Sequence, residues 1–242
     1  MRKWALLLLF SISCITITAQ RSKGDITLYP RLGYNISKYS KQIPVQPKYE
    51  PSKLTKSKFK SGYTIGAELH KQITEKTGAS IGLLYSTEGS KLADYTIESE
   101  AKKWDIKDFS SQLHYLQLPI MTTIDIMKWQ NASISFDFGI QIGYLLKGKN
   151  KNTTEVYNKN GNTWVPDNEG SGKSSGTTTE AYKRTNLSMP IGFSYEYNKF
   201  SLDLRYNIGL TKVYNYIEEN ICNRNWVLTI GYGIVKDVFI IP

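Results

Sequence analysis

Residues 132 to 147 alternate between apolar and small or polar side chains along their whole length. The even positions carry Ala132, Ile134, Phe136, Phe138, Ile140, Ile142, Tyr144 and Leu146, and the odd ones Ser133, Ser135, Asp137, Gly139, Gln141, Gly143, Leu145 and Lys147. Successive side chains of an extended strand point to opposite faces, so this stretch makes a ribbon with one apolar face and one polar face broken only by Leu145. A helix would bring its apolar residues round every three or four positions, and that spacing is absent.

The pattern recurs. Leu187, Met189, Ile191, Phe193 and Tyr195 stand against Ser188, Pro190, Gly192, Ser194 and Glu196, and Phe200, Leu202, Leu204, Tyr206 and Ile208 against Ser201, Asp203, Arg205, Asn207 and Gly209. Five weaker segments share the same sense: Ile26 to Ser37, Gly62 to Lys71, Gly78 to Gly89, Leu113 to Ile126 and Asn225 to Val235, with Leu84 and Val227 out of step. Each can supply the roughly 9 to 11 residues of a tilted membrane strand. The expected fold is all-β, an eight-stranded antiparallel up-and-down transmembrane β-barrel.

The connections alternate in length, which supports the same topology. Gln72 to Thr77, Met127 to Asn131 and the pair Asn198-Lys199 are short, the last suiting a tight hairpin turn. Long outer loops are expected near 38–61, 90–112, 148–184 and 211–224. The third is rich in Asn, Thr, Gly, Ser and Lys and has too little apolar surface to pack a core, so a mobile loop is expected there. Trp129, Tyr197 and Phe200 at the short-turn end, with Tyr63, Tyr144, Tyr214, Tyr216 and Trp226 at the other, predict aromatic girdles at the two interfaces.

The first residues pair a charged start, Arg2 and Lys3, with an apolar stretch and Ala19, the layout of an export signal. The expected domains are a signal peptide at 1–19 and a barrel at 20–242. The alternative of a lipid-modified Cys14 lacks the leucine usual three positions earlier. After cleavage near Ala19 only Cys222 remains, which rules out an intrachain disulfide. No apolar run of about 18 residues follows. The formal charge of +10 falls to about +8 without Arg2 and Lys3. An exported chain rarely meets nucleic acid, so the expected counterparts are anionic outer-membrane lipid, lipopolysaccharide or an acidic glycan.

Four stretches carry a family resemblance: Gly82-Leu83-Leu84-Tyr85-Ser86-Thr87-Glu88-Gly89, His114-Tyr115-Leu116-Gln117-Leu118-Pro119, and the late Gly139 to Tyr144 and Gly192 to Tyr195 segments. With them the chain resembles the small porin-like outer-membrane β-barrel family of Gram-negative bacteria. In that family the third strand ends in a tyrosine followed by a polar residue and glycine, and the fourth carries a tyrosine-leucine pair before a proline. The resemblance implies a barrel in the outer membrane, without fixing an activity.

A lumen of eight strands is just wide enough for its own side chains. Arg31, Glu68, His70, Glu88, Asp137, Glu196, Asp203 and Arg205 share the polar face, so structural ion pairs among Arg31, Glu68, Glu88, Asp137, Glu196, Asp203 and Arg205 are expected to fill it. An ion path is the competing possibility. His70 and His114 belong to opposite ends and cannot serve one site. His114 has Leu116 two positions on, where lipid A deacylase barrels place a serine, so neither catalysis nor a cofactor is expected. Asp167, Asn168 and Glu169 lack the spacing of a calcium loop, and no metal is expected. Lys41, Lys48, Lys53, Lys56, Lys58 and Lys60 crowd the first loop as an anion-binding candidate, or as a solvated face. The expected function is that of a non-enzymatic surface barrel. Alternatives are an accessory barrel bound to secretion or assembly components, a lipid-modifying enzyme, and a soluble lipocalin-like binder with the apolar face turned inward.

Overall fold

Eight long strands follow one another and pair in sequence order: β1 (Ile26–Tyr39), β2 (Lys60–Gln72), β3 (Thr77–Leu92), β4 (Lys102–Lys128), β5 (Ala132–Asn160), β6 (Thr185–Tyr197), β7 (Phe200–Gly209) and β8 (Asn223–Tyr232). β8 closes the ring on β1, in a register that sets Arg31 opposite Gly231 and Tyr39 opposite Asn223. Closure leaves the barrel without an edge to be satisfied. This computed structural model describes residues 23–44 and 54–235. The expected signal peptide, Cys14, Lys48 and Lys53 lie outside them. No described helix is long and apolar enough to cross a membrane.

The alternating side chains sort by face as the strands dictate. Leu32, Ile65, Leu83, Ile140, Phe193, Leu204 and Ile230 are exposed on the outer wall, while Asn35, Thr64, Ser86, Gln141, Ser194, Asp203 and Thr229 are buried in the lumen. An apolar exterior around a polar interior is the arrangement for hydrocarbon outside and a filled lumen inside. The soluble lipocalin-like alternative needs the opposite sorting.

The turns at one end are short. Tyr197 pairs directly with Phe200, so Asn198 and Lys199 make a two-residue hairpin, and Asn198 adopts the positive φ of 54° that a primed turn demands. β8 starts two residues earlier than expected and is interrupted at Gly233, after which Ile234–Val235 resume pairing with β1.

At the other end the structure departs from expectation. The 148–184 stretch is a hairpin: β5 runs on to Asn160, turns at Gly161 (φ 61°), and returns as a strand over Thr163–Thr177. β4 begins at Lys102 and pairs with this extension, and a strand over Tyr95–Glu98 adds to its far side. At about 3.3 Å per residue, the extension of β5 beyond Lys147 reaches roughly 40 Å. Apolar alternation in this outer sheet is confined to short runs, Tyr95 and Ile97, Trp104 and Ile106, with Ile106 and Val156 buried, while residues 148–155 and 166–177 of the hairpin show none, so hydrophobic periodicity could not reveal it.

Candidate functional site

Two regions hold the chemistry, the lumen and the outer mouth. Midway along the lumen, Glu68 on β2 accepts from Arg31 Nε at 3.1 Å and from Arg205 Nη2 at 2.9 Å, with Arg205 Nη1 on its other oxygen. Asp203 sits 2.7 Å from Arg205 Nη2 and 3.8 Å from Arg31 Nη2. Ser201 accepts from Arg31 Nη1 at 2.8 Å. Space for these long side chains comes from glycine across each strand: Glu68 faces Gly82, Arg31 faces Gly231, and Arg205 faces Gly192. A Cβ on Gly82 would stand 2.6 Å from Glu68 Cγ. The cavity left among Tyr29, Arg31, Glu68, His70, Asp137 and Arg205 is about 10 Å³, at the lower limit for a single water.

The other expected members are arranged differently. Asp137 accepts from Thr123 Oγ1 at 2.6 Å, and Glu196 accepts from the Tyr29 hydroxyl at 3.0 Å. Glu88 lies nearer the outer end, buried, and takes hydrogen bonds from Gln117, Asn223 and Asn225 at 2.7 to 3.0 Å. No described cation pairs with it, so an amide cage replaces the ion pair expected there. Sequence reasoning missed the cluster at the short-turn end, in which Asp125 accepts from Gln72 Nε2 at 2.9 Å and Ser135 at 2.7 Å and pairs with Lys128 at 2.9 Å. The signal was available: Asp125 alternates with Ile124 and Ile126. His70 belongs here, 3.1 Å from Gln72 Oε1.

A hydrophobic plug seals the outer mouth. Leu113, Tyr115, Leu145 and Tyr39 on the inner wall and Leu92 at the end of β3 pack with Ile43, Tyr182, Val213 and Ile221 from the loops. Leu145, which broke the alternation, is fully buried in this plug. Tyr214 belongs here too and not to a girdle, its ring 5.4 Å from Tyr39 and 5.1 Å from Tyr182. Tyr63, Tyr144, Tyr216 and Trp226, with Trp129, Tyr197 and Phe200 at the far end, are exposed. The plug is tied down by Tyr182 Oη donating to Asn150 Oδ1 at 2.6 Å and Asn215 Nδ2 donating to the Tyr182 carbonyl at 3.0 Å.

Burial, with the neighbouring Tyr182, holds the Tyr214 phenol well above its usual range, and burial raises Tyr182 as well. A raised folded-state value means stability that is complete below the unfolded value near 10 and is lost as pH rises through the folded one. Limited proteolysis at Lys183 and Lys212 should therefore stay flat through neutrality and rise only above about pH 10. Cleavage that climbs from pH 8 or so would show that these phenols are not buried.

His114 points outward at the rim of the barrel, its Nδ1 2.5 Å from the Tyr85 hydroxyl. His70 lies in the lumen at the opposite end of the barrel. Lys41, Lys56 and Lys58 are exposed and Lys60 is half-buried. No group of three or more histidine, cysteine or carboxylate side chains among the described residues is placed to hold a metal. Asp167 instead accepts from Gly170 N at 3.0 Å and Asn158 Nδ2 at 3.1 Å.

Solved structures similar to this chain include OprG of Pseudomonas aeruginosa (12% identity, TM-score 0.46, covering 91% of this chain and 99% of OprG). Ail of Yersinia pestis is 15% identical (TM-score 0.38, covering 88% of this chain and 99% of Ail) and has also been crystallised with the heparin analogue sucrose octasulfate. Neisserial surface protein A is 12% identical (TM-score 0.38, covering 85% of this chain and 96% of that one). No curated protein matches the sequence. The model of the family described as "Outer membrane protein beta-barrel domain" matches residues 18–215, most of the chain. With eight alternating strands closed into a ring, an apolar wall outside and a packed polar lumen, the chain belongs to the outer membrane β-barrel domain family.

Proposed function

We propose that this protein is a non-enzymatic, non-conducting barrel of the outer membrane whose outer surface binds an anionic lipid or glycan. The observation that carries the reading is the filling of the lumen: a charged network at mid-depth, an amide cage above it and an apolar plug at the mouth leave only about 10 Å³ at the centre. Ligand chemistry is thereby confined to the outer loops and rim, where lysine predominates. Positive surface attracts phosphate, sulfate and carboxylate groups.

Sucrose octasulfate and lipopolysaccharide are suitable probes for the refolded protein. Binding that weakens steeply with salt is expected from both, together with no stable single-channel current in a planar bilayer. Steady conductance, or the absence of binding to either polyanion, overturns the reading.

A second reading is an accessory barrel of an export or assembly machine. It is favoured by the outer sheet, whose last strand, Thr163–Thr177, has a free edge among the described residues. Such an edge can accept an extended segment of another chain. Secretion components co-purifying from detergent, and lost when Thr163–Thr177 is deleted, would favour this second reading.

A further inference from the structure

The charges of the outer sheet fall into two tiers. In the upper tier they are balanced: Lys107 Nζ lies 2.7 Å from Glu155 Oε2, and Lys103 Nζ 3.5 Å from Asp105. In the lower tier, at the rim of the barrel, they are not. Lys58 stands directly opposite Lys91, Lys91 is opposite Ser110, and Ser110 is opposite Lys151. The next rows down set Lys149 against Gln112 and Lys147 against His114. Directly paired residues share a face, and so do residues two apart on a strand. The lysines therefore all point outward, away from the buried Ser111, Leu113 and Leu145. Lys60 is within Coulombic reach of Lys91 and Lys151, and His114 within reach of Lys147, Lys149 and Lys60.

None of these lysines has a carboxylate within 4 Å among the described residues. Like charges in direct register destabilise a sheet, so the row suits an anion from outside the chain. With neighbouring strands about 4.8 Å apart, Lys58 to Lys151 spans roughly 14 Å, and Lys147 to Lys151 roughly 13 Å along β5. The patch stands directly above exposed apolar wall on the same strands, Leu83, Leu116, Ile142, Tyr144 and Leu146. Next to β2 the row continues on β1 and β8, with Lys38 opposite Arg224. A soluble polymer arriving from outside meets the loop tips first. A cationic belt facing sideways at the top of the apolar wall instead meets headgroups lying in the plane of the membrane.

From this placement we infer that the outward rim of β2 to β5, centred on Lys91, Lys149 and Lys151, binds the phosphorylated headgroup of an outer-leaflet glycolipid. Its acyl chains lie against the apolar wall below, and Lys147 and His114 border the site. This deepens the proposal of an anion-binding surface and rests on it.

The test uses the full mature chain refolded in detergent, with bisphosphorylated lipid A and the same lipid dephosphorylated as probes, read by native mass spectrometry. Sucrose octasulfate binding is measured beside it. The variant K91Q/K149Q/K151Q is expected to lose at least about tenfold in lipid A affinity, as does wild type toward the dephosphorylated lipid, whereas K41Q/K56Q keeps it. Heat-modifiable gel migration checks folding; if the triple variant does not fold, K91Q and K149Q singly should each lose severalfold. Wild type that binds lipid A indifferently to its phosphates, rim variants that retain it, or loop variants that lose it would each overturn this assignment while leaving surface anion binding intact. Wild type that binds neither lipid A nor sucrose octasulfate removes the parent proposal together with this one.

Discussion

Glu68→Gln is expected to destabilise the barrel by about 3 to 5 kcal/mol, the cost of removing one partner from a buried charge network. Both of its carboxylate oxygens are engaged by Arg31 and Arg205, and neither arginine has a second carboxylate holding it as fully. Glutamine keeps the shape of the side chain, so the lumen packing is preserved and the loss reports charge. Glu88→Gln is the matched comparison. Glu88 is equally buried, but its neighbours are the amides of Gln117, Asn223 and Asn225, so neutralising it strands no cation. A change within about 1 kcal/mol in either direction is expected. Reversible unfolding in urea, followed by tryptophan emission in lipid vesicles, separates the two. Equal losses at both positions would mean that lumen packing, not ion pairing, sets the stability. Restoration by Glu68→Gln combined with Arg205→Gln, at least in part, would confirm that the stranded charge is the cause.

The sequence made the barrel legible because lipid imposes one chemical rule on every outward position. Phe200 to Ile208 on β7 follows it strictly, and there the strand bounds were read almost to the residue; Ile134 to Leu146 follows it as strictly on β5, whose start at Ala132 was read and whose end at Asn160 was not. The rule holds only where hydrocarbon lies outside. Beyond Leu146 the rule lapses: Lys, Gly, Asn and Thr fill residues 147 to 154, and nothing in that pattern separates a strand from a loop, although Gly148 and Val156 are buried in the folded protein. The hairpin over 148–177 is held by backbone pairing with the extended β4, and that is a property of two segments that neither shows alone.

The candidate sites were legible to different degrees for the same reason. Parity alone placed Arg31, Glu68, Asp203 and Arg205 on one face, and the narrow lumen forced them together. Parity could not give the register, so it could not reveal that each of the long charged side chains faces a glycine or that Glu88 meets amides in place of a cation. Leu145 was visible as an exception to the pattern; its meaning needed Tyr182, Val213 and Ile221, more than thirty residues away in sequence, to fold over it. The lysine row at the rim was hidden in the same way. Lys58, Lys91 and Lys151 come from three separate segments, and only the ladder brings them into line, while the sequence drew attention to the run of lysines within a single loop.

Ile140→Arg should cost about 2 to 4 kcal/mol of folding stability in lipid vesicles, and Leu146→Arg no more than about 1 kcal/mol. Both side chains are exposed on the outer wall to nearly the same extent, 48% and 46%, so ordinary surface burial cannot distinguish them. Depth does. Ile140 is the middle of the apolar series from Ile134 to Leu146, three turns of alternation from either end, whereas Leu146 adjoins Lys147 at the rim. An arginine at the centre must hold its charge in hydrocarbon or thin the bilayer around it, and one at the rim reaches water and headgroups with its own length. The gradient between the two positions is therefore a measurement of the membrane itself. In detergent micelles, which deform around a charge, the difference should shrink. Equal penalties at Ile140 and Leu146 in vesicles, or none at either, would place the apolar wall outside hydrocarbon, because only a slab with a middle and two faces makes the cost of the same substitution depend on its height along a strand.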